Sequence, residues 1–330
     1  MSDAAPSVLI TGANGFVGAR LCRYFLKQGF RVIAGVRKSS DLSQLEGIQV
    51  EYRYGDVTQA ESLPALVEGV AYVIHNAGIV KARRPESFFA VNEKGTRSLL
   101  AAIESHASNI KKFIYISSLA AAGPCLDDKP LTESVSPHPV TTYGKSKLAG
   151  ERVVQSYASK IPVVIVRPSG VYGPGDKEVF SVFQTADRRI RALVGDLNRK
   201  LQMVYVDDLC YGVFLAATGQ TESGSVYFLA ERETYAYGEW VETLQRAIGK
   251  KGFPLVLPAP VFRLIAALSG LAFKLVRATP MLTAEKANEL LASWEVSIEK
   301  AERELGYSPE VTFAEGAAET YRWYKNEGWL

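Results

Sequence analysis

Cysteine is scarce in this chain. Cys22, Cys125 and Cys210 are the three among 330 residues, odd in number, far apart and without a CxxC spacing. That pattern argues against a disulfide framework or a thiolate metal site, and fits reduced thiols in a cytoplasmic protein. Histidine is equally rare, and His75, His106 and His138 stand too far apart for a metal-ligand motif. An excess of one charge is also missing. The formal net charge of +3 makes no case for nucleic acid. The most apolar stretch, PVFRLIAALSGLAFKLVR (260–277), is interrupted by Arg263 and Lys274. We expect no integral membrane span there, but a buried helix, or one that lies on a membrane surface or faces a lipophilic molecule. The opening MSDAAPSVLITG runs almost directly into an apolar strand, with no basic segment and apolar core before it, so no secretory signal is expected.

Apolar residues, by contrast, make up 47% of the sequence, enough for a sizeable core. The length favours two domains or one domain with an elaborated second lobe. The first half alternates. SVLIT (7–11), RVIAGVR (31–37), QVEYRY (49–54), AYVIH (71–75), KFIYIS (112–117) and PVVIVR (162–167) read as strands. Helical spacing fills the gaps, most clearly at 16–28, 86–105 and 141–159. This alternation predicts a doubly wound parallel sheet covered on both faces, and near-continuous apolar strands such as VVIV support it. After Arg167 the rhythm changes. LQMVYV (201–206) and SVYFLA (225–230) still read as strands, but beyond about 231 the pattern is helical at 235–249, 260–277, 283–292, 297–305 and 313–326. Gly306 is placed to cap the fourth of these, with Pro309 beyond it. The spacing predicts a main domain of residues 1–172 plus 207–230, and a discontinuous, mainly helical lobe of 173–206 plus 231–330.

TGANGFVG sets Gly12, Gly15 and Gly18 three apart, between a strand and a helix. A helix N-terminus offers free N–H groups and partial positive charge, which suit a pyrophosphate, and glycine lets the backbone approach it closely. Dinucleotide binding is the expectation. At the end of the second strand a carboxylate would hold ribose hydroxyls and repel a 2′-phosphate. Here the chain reads GVRKSS, with Arg37 and Lys38 and no acid before Asp41. Arg37 can fork onto a phosphate, so NADP(H) is favoured and NAD(H) remains possible. Asp56, in GDVT, can meet an adenine amino group or cap the helix that follows.

TTYGKSK (141–147) puts Tyr143 and Lys147 four apart, on one helix face. A free tyrosine titrates near ~10 and is a poor base at neutral pH. An ammonium ~4 Å away, at an effective dielectric of ~20, favours tyrosinate by about 4 kcal/mol. That amounts to about three pKa units. Alternatively the pair is a solvated surface feature. Ser117 and Ser118 close the fifth strand, at the edge where open parallel sheets bind ligands, and a hydroxyl there can orient a carbonyl or alcohol for Tyr143.

In order and spacing, TGANGFVG, GDVT, HNAG (75–78), VNEKGT (91–96), YISS, YGKSK, RPSGVYGPGD and VYVDDL (204–209) resemble the extended short-chain dehydrogenases/reductases, which include the NAD-dependent epimerase/dehydratase group. The resemblance covers essentially the whole chain. It implies a Rossmann fold and a catalytic triad of Ser118, Tyr143 and Lys147. Ser118 is preferred to Ser117 because four residues and Gly123 follow it. It also implies cofactor contacts from Gly12, Asn14, Gly15, Phe16, Val17, Gly18, Asp56, Val57, Ala77, Gly78, Asn92, Pro168 and Val171, and a homodimer through helices 86–105 and 141–159. Family dehydratases carry an acidic pair after the active hydroxyl, whereas Leu119 and Ala120 stand here. Family nucleotide-sugar epimerases carry an asparagine where this chain has Ser169 and Gly170. The tail is similar to the 3β-hydroxysteroid dehydrogenase-like and dihydroflavonol-reductase-like branches, which act on hydroxyls or ketones of bulky, fairly apolar small molecules. Phe180, Phe183, Met203, Tyr205 and the 260–277 helix are candidates for walling such a pocket. The rival readings are a nucleotide-sugar 4-epimerase and a dinucleotide sensor without chemistry.

Other motifs have plainer expectations. Asp207 and Asp208, where a strand meets a helix, read as caps. DRRIRALVGD (187–196) reads as a solvated basic helix or loop, with Arg188, Arg189 or Arg191 as alternative partners for an acidic group. His138 reads as a loop histidine. Trp323, Tyr324 and Trp329 read as anchors for the last helix.

Overall fold

The computed structural model of the chain describes residues 5–127, 129–275 and 283–330. The end of the apolar stretch, 276–277, lies outside them. Six strands open the chain: β1 (Ser7–Thr11), β2 (Arg31–Val36), β3 (Glu51–Tyr54), β4 (Tyr72–His75), β5 (Lys112–Ile116) and β6 (Val163–Pro168). Shorter ones follow: β7 (Gly170–Tyr172), β8 (Ile190–Val194), β9 (Lys200–Leu201) and β10 (Met203–Tyr205). The chain then adds β11 (Ser225–Leu229), β12 (Tyr235–Ala236) and β13 (Phe253–Leu257). Strands β11-β6-β5-β4-β1-β2-β3 form one parallel sheet in that order. The order reverses between β1 and β4, which makes their carboxyl ends the crevice where such sheets bind ligands.

The sequence explains the sheet directly. β1 and β6 are buried along their whole length, as their unbroken apolar runs require. The edge strand β3, EYRY, alternates and leaves one face open. One face of the sheet packs on helices Phe16–Lys27, Val206–Thr218 and Glu299–Leu305. The other packs on Leu63–Val67, Thr96–His106 and Thr142–Gln155. Gly306 ends the 299–305 helix in the left-handed conformation, with φ 70°.

A third core holds the C-terminal lobe together, around Tyr172, Phe183, Trp240, Phe313 and Tyr324. Trp240 stacks on Phe313 at 4.7 Å, and a Thr312–Glu315 capping box starts the last helix, Phe313–Asn326. Trp329 closes on Tyr324 and Phe180, so the tail aromatics anchor that helix. Three departures from the sequence reading follow. The stretch 187–196 is not a solvated helix or loop, because Ile190–Val194 pairs with β13, and Arg191 meets Glu242. The helix expected over 86–105 is three pieces, Pro85–Phe89, a π-helical turn at Ala90–Gly95, and Thr96–His106. Asp208 caps no helix of its own. It accepts the backbone N–H groups of Glu310 and Val311, while Asp207 faces Arg20.

Candidate active site

The carboxyl ends of β1, β2, β3 and β4 surround a cleft of about 340 Å³. Gly12, Asn14, Gly15, Arg37, Ser40, Asp56, Val57, Ala77 and Gly78 border it. Gly12 has φ +65°, and a Cβ there would stand 2.9 Å from Ala77 Cα. Gly18 lies one turn into the helix, where a Cβ would meet the Gly12 carbonyl, and so brings the helix down onto the loop. The helix starts at Phe16 with no side-chain cap and no acid in its first turn, which leaves its N–H groups free for an anion. Arg37 is exposed at the rim, and its N–H donates to Ser40 Oγ. The first acid beyond, Asp41, is engaged by the N–H and hydroxyl of Ser43. Asp56 caps a turn rather than a helix, accepting from the N–H and hydroxyl of Thr58. These residues fit a dinucleotide, and Arg37 puts a cation on the rim.

Lys38, Phe16, Val17, Pro168 and Val171 do not border that cleft. Lys38 is exposed, Phe16, Val17 and Val171 pack against the main core, and Pro168 ends β6 fully buried. Asn92 is buried beside the site. Its Oδ1 accepts from the N–H of Ile79, and its Nδ2 donates to the carbonyl of Ile79 and to Ser146 Oγ. The π-helical turn frees the Asn92 carbonyl to accept from the Tyr115 and Thr96 hydroxyls. The Thr142–Gln155 helix can approach this turn because Gly144 and Gly150 lack side chains. A Cβ on Gly144 would run into the Ala120 carbonyl, and one on Gly150 into Tyr115 Oη.

Lys147 stands where the two halves of the site meet. It is 4% exposed, and its ammonium donates to the Ile116 carbonyl at 2.6 Å, 4.4 Å from the centre of the Tyr115 ring. A Cβ on Gly78 would come within 3.7 Å of it. Burial brings the Lys147 pKa down to about 7, while Glu151, one turn further, pulls it up. Glu151 itself forms a buried fork with Arg167 and accepts from Ser117 Oγ. Ser117 is thereby committed to the interior. Ser118 faces the other way. It caps the short Leu119–Ala122 helix through the Ala120 N–H and borders a second cavity together with Tyr143.

The Tyr143 phenol does not have the lowered pKa expected of it. Burial pushes it up to about 12, the neighbouring Ser118 hydroxyl draws it down in part, and Glu289 raises it further. The main cause is that the phenol is desolvated, and the Lys147 ammonium, held on the Ile116 carbonyl, does not offset it. The C-terminal lobe also holds this helix. Glu285 accepts from both the N–H and the hydroxyl of Thr142. That clasp, and Glu289 near the phenol, carried no signal in the sequence.

The second cavity measures about 480 Å³. Val182, Ile190, Met203, Trp240, Leu244 and Phe262 make much of its wall apolar, and Ser118, Tyr143 and Ser169 stand at its polar end. The Ser169 hydroxyl is buried and has no partner among the described residues. Met203 and Phe262 line this cavity as expected, but Phe180, Phe183 and Tyr205 do not. Phe180 and Phe183 pack edge-on to Tyr324, and Tyr205 to Tyr172, because aromatics at helical spacing complete the lobe's own core. Among the described residues no cluster of His, Cys, Asp and Glu could hold a metal ion, and no helix is long and apolar enough to cross a membrane.

Comparison with known proteins identifies relatives of the chain. A model of the NAD dependent epimerase/dehydratase family matches residues 8–230. The chain is similar to a ceramide reductase of Caulobacter vibrioides, 32% identical over 100% of this chain and 98% of that protein. It is also similar to a 3 beta-hydroxysteroid dehydrogenase/Delta 5→4-isomerase of Mycobacterium tuberculosis, at 29% identity over 96% of this chain and 90% of that protein. Among solved structures, the dTDP-glucose 4,6-dehydratase of Streptomyces venezuelae with NAD bound shares the fold, with a TM-score of 0.78 at 23% identity over 98% of each chain.

Proposed function

The chain belongs to the NAD dependent epimerase/dehydratase family, and on that premise we propose that it is an NADP(H)-dependent reductase of bulky, largely apolar ketones. The observation that carries this reading is one arrangement. The Tyr143 phenol and the Ser118 hydroxyl border an apolar cavity of about 480 Å³, while Lys147 behind them reaches to Gly78 of the dinucleotide cleft. When bound, the dinucleotide supplies or accepts a hydride at its nicotinamide ring. Ser118 holds the substrate oxygen by donating a hydrogen bond, and Tyr143 gives that oxygen its proton. A phenol held near 12 keeps its proton at neutral pH, which suits an acid that completes ketone reduction. Alcohol oxidation asks Tyr143 to act as a base, and there the Lys147 charge would oppose the cost of forming a phenolate.

Arg37 at the cleft rim supports NADP(H) over NAD(H). The similarity to a ceramide reductase and a hydroxysteroid dehydrogenase supports an apolar substrate. Residues 1–172 with 207–230 would hold the dinucleotide, and 173–206 with 231–330 the substrate. By family resemblance the chain would pair as a homodimer through the 86–105 and 141–159 segments, and its free cysteines suit the cytoplasm. The test is turnover of added cofactor. Purified protein given NADPH and a panel of sterol-like and long-chain ketones should oxidise the nicotinamide continuously. NAD that copurifies tightly, with no oxidation of added NADPH, would favour a 4-epimerase instead. No reaction with any ketone or alcohol would favour a sensor.

A further inference from the structure

Seven of the sixteen large apolar side chains exposed among the described residues fall within sixteen consecutive positions, 253–268. β13 pairs with β8 alone, and side chains on both of its faces reach solvent: Phe253 is 78% exposed and Val256 62%. Pro258 then turns the chain into the Ala259–Leu275 helix. Val261, Leu264, Ile265 and Leu268 recur at the spacing of a single helix face, the stripe that ordinarily packs on a core. Here they are 43% to 59% exposed. The opposite side of the helix is engaged, with Ala266 buried and Phe262 on the wall of the substrate cavity. This helix is therefore apolar on two sides, one turned to the cavity and one turned outward.

Along the chain its charge is of one sign, and the acids of the neighbouring Ala284–Leu291 helix are engaged, Glu285 by Thr142 and Glu289 by Lys286. From Thr243 to Ala284 the chain carries Arg246, Lys250, Lys251, Arg263, Lys274 and Arg277, and no aspartate or glutamate. Asp187 answers Lys250, whereas Lys251 and Arg263 form no salt bridge among the described residues. A second copy presenting the same face would bring like charges together. A bilayer with anionic headgroups buries the apolar stripe and pairs the cations in one step. Val182 and Leu290, both on the cavity wall, are themselves exposed, so the cavity opens to the surface near this face.

We propose that β13 and the Ala259–Leu275 helix form a docking face for an anionic lipid bilayer, and that the substrate cavity loads its apolar substrate from that bilayer. The loading half rests on the ketone-reductase reading, and the docking half does not. The experiment is vesicle flotation of the full chain, with phosphatidylcholine alone and with phosphatidylcholine and phosphatidylglycerol in equal parts. Wild type should float with the mixed vesicles, less with phosphatidylcholine alone, and less as salt is raised. Leu264→Ser with Leu268→Ser should lower the bound fraction roughly tenfold or more. Lys251→Glu with Arg263→Glu should remove the preference for phosphatidylglycerol. All four side chains are exposed and only Arg263 gives up a bond, an exposed one to Asn288 Oδ1, so the thermal midpoint should move little and NADPH binding should stay unchanged. Reduction of a long-chain ketone embedded in mixed vesicles should fall with flotation in the leucine variant, while reduction of a short, water-soluble ketone should not. Failure of wild type to float, or flotation indifferent to the leucine substitutions, overturns docking. So does an oligomer that the leucine variant dissociates while wild type ignores vesicles, which would make this a face between copies. Flotation as expected with no reduction of either ketone sinks the reductase reading and leaves docking standing.

Discussion

Lys147 costs the fold stability, and the size of that cost can be worked out. Burial lowers its pKa from 10.5 to about 7. At ~1.36 kcal/mol per unit, the charged form is disfavoured inside the protein by about 5 kcal/mol. Lys147→Met keeps the linear shape and removes the charge. It also gives up the charged hydrogen bond to the Ile116 carbonyl and the contact with the Tyr115 ring, together roughly 3 kcal/mol. The variant should therefore be more stable than wild type by about 2 kcal/mol near neutral pH and below. The sign follows from proton linkage. Below the folded pKa of about 7 both states hold the proton and the full cost is present. Between about 7 and 10.5 the unfolded chain keeps its proton while the folded chain releases it, so wild type gains stability as pH rises. Because wild type regains about 5 kcal/mol across that window, the advantage of Lys147→Met should close at about pH 8.5 and reverse above it. Urea unfolding of cofactor-free protein, followed by tryptophan fluorescence at about pH 6 and about pH 10, reads both quantities. Turnover of the variant should be lost throughout. A variant less stable than wild type at the lower pH, or a gap that does not change with pH, refutes the reasoning.

Three further outcomes follow from the site. Arg37→Glu should weaken NADPH roughly tenfold to a hundredfold while NADH is kept or improved, since a charge-assisted pair with the 2′-phosphate becomes a repulsion; the ratio of kcat/KM for the two cofactors measures it. Gly150→Ala should cost about 1–3 kcal/mol, read as a lower thermal midpoint, because its methyl would collide with Tyr115 Oη and the Asn92 carbonyl. The neighbouring serines should separate cleanly. Ser118→Ala should lower kcat and cost only about 1 kcal/mol through the lost cap on Ala120, whereas Ser117→Ala should keep kcat and lose about 1–3 kcal/mol through its buried bond to Glu151.

The parallel sheet was legible because its inner strands are short apolar runs closed by turns and buried on both faces, while the edge strand β3 alternates. The β8–β13 pair was not. Pro254 demotes FPLVL as a strand, and the basic run before Ile190 disguises its partner. The break at Ala90–Gly95 was also hidden, since its apolar spacing continues through it and only the packing of Gly150 against Asn92 shows why the turn is widened. Within the site, Gly12, Tyr143 and Lys147 could be read because their chemistry depends on short sequence distances. The electrostatics could not. Whether a lysine four residues away lowers a phenol's pKa depends on how the ammonium is held and how deeply both are buried, and here burial of the phenol outweighs it. The pocket lining failed for a related reason. Phe180, Phe183 and Tyr205 satisfy a core and a cavity wall equally well in sequence, and the last helix, through Tyr324, claims the two phenylalanines for the core.

The central claim is that the Tyr143 phenol delivers the proton that accompanies hydride transfer. Single-turnover oxidation of bound NADPH by a bulky ketone, compared between wild type and Tyr143→Phe, tests it most directly. The account predicts NADPH binding within a factor of about two of wild type and a transfer rate lower by about 10²–10⁴. A variant that binds the cofactor fully and still transfers hydride at a rate near that of wild type would contradict it, because the proton would then have to come from a group other than this phenol.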